Sequence, residues 1–197
     1  MKDQSKLNNP EEIRLHNIID MGLTFSAMIR LFNKGSKETL RKKMLDKARN
    51  IFETKSEEHF INIHSNFCDW GIKNISLAEK KRDGRIIKNA TPASYGQIAK
   101  TFDVVLKVAV YYSHLPSCEK SQEISGWLNA AVDTKMMAML RKEYPNDVHP
   151  WPTTVEQVDS TTYMTIQRIV RKFISDKHKG SIMPVQFDDI YWRELNR

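Results

Sequence analysis

The chain has 197 residues, 40% of them hydrophobic and 28% charged, proportions that exclude a disordered polymer and allow one ordinary domain to bury a core without disulfides or a structural metal. Two cysteines, Cys68 and Cys118, cannot build the disulfide framework of a small secreted protein, and the longest apolar run, Val104 to Tyr112, is broken by Lys107 and falls short of the roughly 18 residues a membrane helix needs. With 31 basic against 24 acidic residues the net charge is +7, which favours polyanionic partners electrostatically without specifying one. No apolar signal core follows Met1, so the expected setting is cytoplasmic, with no membrane involvement.

Read in chain order, the sequence predicts an all-α protein of about seven or eight helices: a flexible tail over 1–9, then a single helical domain over 10–197. Asn9-Pro10-Glu11-Glu12 is a helix start, with a capping side chain, a proline in the first turn and acids at the positive end of the dipole. This first helix is expected to run to about Asn33. After Gly35, Ser36 is expected to cap a second helix with Leu40, Met44, Ala48, Ile51 and Phe52 on one face, and Ser56 starts a third through Phe60, Ile63, Phe67 and Ile72. Between Ser76 and Pro92 the helical period is lost. That stretch holds Lys80, Lys81, Arg82, Arg85 and Lys88 around an Asp83-Gly84 turn signal and reads as a basic loop or short hairpin.

Ser94 and Gln97 have the spacing of a capping box, so a fourth helix spans about 94–114. Its residues are apolar around most of the circumference, which marks it as the central helix of the domain. Lys100, Asp103 and Lys107 form one narrow polar stripe on it, and that stripe must reach water, a partner or a cleft, because an unpaired buried charge is costly. A fifth helix is expected over Cys118 to Ala131, and Asp133 caps a sixth that ends before Pro145. Asp159 caps a seventh, stopped by Gly180, and Pro184 opens the last, which carries Phe187, Ile190, Tyr191 and Leu195.

The seventh helix divides into an apolar face of Tyr163, Ile166, Val170 and Phe173 and an opposite face of Arg168, Arg171, Lys172 and Lys179; the second adds Arg41, Lys42, Lys43 and Lys47. If these faces adjoin the basic segment at Lys80–Lys88 they make a phosphate-binding surface, and if separate they are solvated patches. His64 with Cys68, and His114 with Cys118, repeat one spacing and are of zinc-ligand type, but no close Cys-x-x-Cys pair accompanies them and no metal is expected. No glycine-rich phosphate loop, Gly-x-Ser-x-Gly elbow or His-Glu-x-x-His run occurs, and no cofactor is expected. Six residues separate Arg171 from His178, a spacing that resembles the arginine-to-histidine motif of the HEPN family of small all-α proteins, many of them ribonucleases.

From about Thr91 onward a second resemblance emerges. Gly96-x-x-x-Lys100 is similar to the end of the hairpin, with its catalytic lysine, in the helix-hairpin-helix DNA glycosylases, particularly the archaeal-type 8-oxoguanine glycosylases. Val132-Asp133-Thr134-Lys135, followed by Met137 and Leu140, resembles the segment that carries their catalytic aspartate into a helix, and Met183 to Trp192 resembles their closing helix. The resemblance implies that the Lys100 amine attacks the sugar C1′ of a flipped nucleotide to form a Schiff base, assisted by the Asp133 carboxylate, with Trp127 or Trp192 stacking on a base. It would place Lys100 and Asp133 within a few ångströms at the mouth of a cleft. The expected partner is therefore nucleic acid, DNA in preference to RNA, bound in part by Lys80, Lys81, Arg82, Arg85, Lys88, Arg168, Arg171 and Lys172. The alternative from the same sequence is a non-enzymatic intracellular helical interaction protein, with homo-oligomer formation as one form of it.

Overall fold

The computed structural model describes residues 9–83 and 85–195; Gly84 of the expected turn, residues 1–8 of the expected tail and the last two residues lie outside them. Among the described residues there are eight α-helices: α1 (Pro10–Phe25), α2 (Ser36–Phe52), α3 (Glu57–Asn74), α4 (Tyr95–Leu106), α5 (Cys118–Ser125), α6 (Thr134–Glu143), α7 (Ser160–His178) and α8 (Pro184–Leu195). Two short strands, β1 (Lys80–Arg82) and β2 (Arg85–Lys88), form an antiparallel hairpin between α3 and α4. No described helix is long and apolar enough to cross a membrane.

The helix starts follow the local chemistry of the sequence except at α2, where Ser36 is the first helical residue, Gly35 holds the cap position at φ 90° and no side chain caps the helix. Asn9, Ser56, Ser94, Ser117, Asp133 and Asp159 each accept a hydrogen bond from a first-turn backbone N–H of the helix that follows, and Ser94 with Gln97 closes a full capping box. The central position of α4 follows from its composition. Ile98, Ala99, Phe102, Val105 and Leu106 are all at most 1% exposed, with α1, α3 and α7 packed around them. Helix α1 approaches so closely at Gly22 that a Cβ there would sit 2.9 Å from the Val105 Cα, a clash only glycine avoids.

Three helix ends fall short of the sequence expectation. Helix α1 stops at Phe25 rather than near Asn33: Ser26 is extended, a 3-10 turn covers Ala27–Arg30, and Phe32 then bridges to Leu77. Met28, Leu31 and Phe32 prolong the apolar period through that break, which is why periodicity alone overshoots. Helix α4 leaves α geometry at Leu106 and continues as a π-helical segment, Lys107–Tyr112. Helix α5 ends at Ser125 rather than Ala131. Beyond it the chain is buried without being helical, because the Gln167 side chain satisfies both polar groups of Ala130, accepting from its N–H at 3.1 Å and donating to its carbonyl at 2.9 Å.

Candidate functional site: a lysine cleft beside the central helix

One side of α4 and its π segment faces an open cleft of about 920 Å³. Lys100, Val104, Lys107 and Val108 form its floor, Asp133 at the cap of α6 lies on its wall, and α8 contributes Asp188, Asp189 and Trp192. Phe25, Tyr112 and Trp192 also line it while remaining 65%, 53% and 59% exposed, a concentration of wet aromatic surface that a core does not need. The π segment begins at Lys107, in keeping with the frequent placement of such segments at functional sites.

The two lysines are held differently. Lys107 is 5% exposed and fully engaged: its Nζ donates to Asp188 Oδ2 at 2.7 Å and to Asp189 Oδ1 at 2.5 Å, and Tyr112 donates its hydroxyl to the same Asp189 oxygen at 2.7 Å. Lys100 is partly buried and, among the described residues, no carboxylate lies within 4.0 Å of its amine. Burial lowers its pKa below the ordinary lysine value, while the charges of Asp133 and Asp188 oppose that shift without cancelling it. Desolvation, not repulsion from Lys107, thus favours the neutral amine; the positive charge of Lys107 is taken up by its own two aspartates.

The two acids whose charges act on this amine are partly committed. Asp133 accepts from the Met136 N–H at 2.8 Å through Oδ1, so the same residue starts α6 and presents a carboxylate to the cleft. Asp188 gives Oδ2 to Lys107, but its buried Oδ1 finds no hydrogen-bond partner among the described residues, and burial raises its pKa despite Lys107.

Other expected residues separate. Asp103 of the predicted stripe does not line the cleft: it is 3% exposed, accepting from Tyr163 at 2.7 Å and meeting His64 Nε2 at 2.8 Å. Burial opposes charge on His64, but Cys68 and Asp103 outweigh that penalty and raise its pKa to about 10. The four-residue zinc arrangement does not assemble, since His64 and Cys68 are sealed in this network while Cys118 is exposed, and among the described residues no group of three or more His, Cys, Asp or Glu is arranged to hold a metal. Arg171 is drawn to Asn129, the Trp127 carbonyl and Glu57, whereas His178 meets Tyr191, so that pair forms no common site. Trp127 packs against the core with Lys120 over its ring, leaving Trp192 as the cleft's indole.

The basic residues are spread over the hairpin, α2 and α7, which, among the described residues, make no extensive contact with one another. Lys80, Arg82 and Arg85 stand exposed on the hairpin, which makes no extensive contact with α7; the side chains of Lys81 and Lys88 lie outside the described residues. On α7, Arg168 is exposed, whereas Lys172 lies over the Tyr144 ring and pairs with Asp147 at 3.8 Å. Arg41 of α2 is likewise engaged with Asp20 and His16.

Sequence reasoning overlooked Phe25, Tyr112 and the partnership of Lys107 with Asp188 and Asp189. The signal for the last was present: a lysine within an apolar helix requires an acid, and Asp188-Asp189 is an adjacent pair of acids on an amphipathic helix. Comparison with protein-family models, with curated proteins and with solved structures found no match to this chain.

Proposed function

We propose that the cleft is the active site of a DNA-acting protein of glycosylase and abasic-site lyase type, with Lys100 as the nucleophile and Asp133 as its assisting carboxylate. The observation that carries this reading is the Lys100 amine itself: desolvated, without a direct partner among the described residues, and set in an aromatic-rimmed cleft under the influence of two carboxylates. A structural lysine would be paired, as Lys107 is, or would extend into water. Desolvation shifts such an amine toward its neutral, nucleophilic form, the form that covalent chemistry needs.

In the proposed reaction the neutral amine forms a bond to C1′ of a nucleotide turned into the cleft, and the C1′–base bond breaks with its electrons leaving on the base. The sugar ring then opens, the C1′–O4′ bond breaking as the C1′–N double bond of the imine forms, and the two amine protons pass to the departing base and to O4′. At an abasic sugar the same imine forms with loss of water. Asp133 stabilises positive charge developing on the sugar, and Trp192, Phe25 and Tyr112 supply stacking faces, a contribution of about 1–3 kcal/mol per stacked base. DNA is the polymer proposed, attracted by the positive net charge.

Borohydride reduction tests the reading. Wild-type protein mixed with duplex DNA containing an abasic site or oxidised guanine is expected to give a covalent adduct stable to denaturation, and Lys100→Met to give none. Absence of any adduct with the wild type would remove the enzyme reading and leave a helical binding protein.

A further inference from the structure

The hairpin is rooted firmly in the body of the domain. At its root, Ala78 N donates to the Leu31 carbonyl at 2.8 Å, Asn33 N to Ser76 at 2.9 Å, Leu77 N to Thr91 at 2.7 Å and Ala93 N to Ile75 at 2.9 Å, a three-segment ladder with Ile75, Leu77 and Ala93 buried. Beyond this root the strands leave the body, and Ile86 and Ile87 stand 51% and 63% exposed among cations. The register brings like charges opposite one another where Arg82 faces Arg85 across the ladder. Like charges directly opposite destabilise a hairpin, and a polyanion lying along it relieves the repulsion. Residues 80–88 hold five cations and one acid. The register shift leaves one extra residue on β2, and such a bulge increases local twist and re-aims side chains.

The root is also close to the cleft along the chain. Phe25 and Ala27 line the cleft on the chain that runs into Leu31, and α4 starts two residues after Ala93. Lys100 lies five residues into that helix, about 8 Å along its axis at 1.5 Å per residue. The root of the hairpin and the floor of the cleft are thus linked by a few residues of chain on both segments.

We infer that the hairpin is a finger that enters duplex DNA beside the cleft, its cations seated on phosphates and Ile86 and Ile87 wedged against a base step. Apolar side chains wedged in this way partly unstack and kink DNA. The inference rests on the nucleic-acid reading of the cleft but concerns a separate surface, and it is measured on undamaged DNA, where no lysine chemistry takes part.

The test is equilibrium binding to a duplex carrying 2-aminopurine, across a salt series. Wild-type protein is expected to raise 2-aminopurine fluorescence on binding. Ile86→Ser/Ile87→Ser is expected to lose that rise and to bind about tenfold more weakly, as loss of buried isoleucine surface implies, with an unchanged salt slope. Lys80→Gln/Arg82→Gln/Arg85→Gln is expected to flatten the slope by about 0.9 for each phosphate no longer neutralised. Ile87→Ser alone repeats the test if the double variant unfolds. Wild-type duplex affinity in both variants would overturn the finger, as would a wild type that binds without unstacking. Loss of binding to phosphatidylserine vesicles in the isoleucine variant, with duplex binding intact, would assign the hairpin to a lipid surface instead. A wild type that forms the borohydride adduct while both variants keep duplex affinity refutes the finger alone; one that binds and unstacks the duplex but forms no adduct refutes the lysine chemistry alone.

Discussion

The two sides of α4 carry similar groups and treat them in opposite ways. On the sealed side, His64, Asp103 and Tyr163 come from three helices, are at most 3% exposed, and complete one another's hydrogen bonds. On the open side, Lys107 is tied to α8, but Lys100 and Asp188 Oδ1 are desolvated without a direct partner among the described residues. A closed polar network specifies and holds a core; groups left incomplete at a cleft cost stability and are retained where something else completes them. The difference separates what α4 does for the fold from what, on the proposed function, it does for a ligand.

Mutations sharpen this contrast in a graded way. Val105→Asp or Leu106→Asp places an unpaired charge among fully packed neighbours and is expected to unfold the domain, seen as loss of helical circular dichroism at ambient temperature. Asp103→Ala leaves His64 and Tyr163 without their common acceptor and is expected to cost about 3–5 kcal/mol in urea unfolding. Lys107→Met leaves Asp188 and Asp189 facing each other and is expected to cost about 1–3 kcal/mol, less because that side is partly wet. Lys100→Met removes a desolvated amine with no direct partner, so stability is expected to change by less than about 1 kcal/mol while adduct formation is lost. A Lys100 variant as damaged as the Asp103 variant would mean that both sides serve the fold.

The pH dependence of stability separates the sides by sign. His64 has a folded pKa of about 10 against an ordinary 6.5, so its contribution is full below 6.5 and is lost as pH rises towards 10. Lys100 has a lowered folded pKa, so between that value and 10.5 the unfolded chain binds more protons and stability rises with pH. In unfolding measured from pH 6 to 10.5, His64→Gln is expected to shallow the alkaline decline and Lys100→Met to steepen it. Identical slopes in both variants would contradict the assignment of opposite shifts.

Much of the fold was legible because its signals are local. Asn9, Ser56, Ser94, Asp133 and Asp159 cap their helices as the sequence indicates, and the apolar circumference of α4 marks the centre. What failed was set by distant partners. The non-helical stretch after Ser125 depends on Gln167, the break at Ser26 accompanies a bridge from Phe32 to Leu77, and the absence of Asp103 from the cleft depends on His64 and Tyr163. In the cleft, Lys100 and Asp133 were marked by the polar stripe, a helix cap and a family resemblance, and both line it. Phe25 and Tyr112 gave no sign, because exposed and buried aromatics look alike in a sequence.

The most direct test of the central claim is to locate the covalent bond. Wild-type protein reduced with borohydride on abasic-site DNA, then digested and mapped by mass spectrometry, is expected to carry the reduced sugar on Lys100. A modification on Lys107, on a lysine of the hairpin or α7, or spread among surface lysines would contradict it, because such an adduct would report proximity to DNA and not an amine prepared by the cleft.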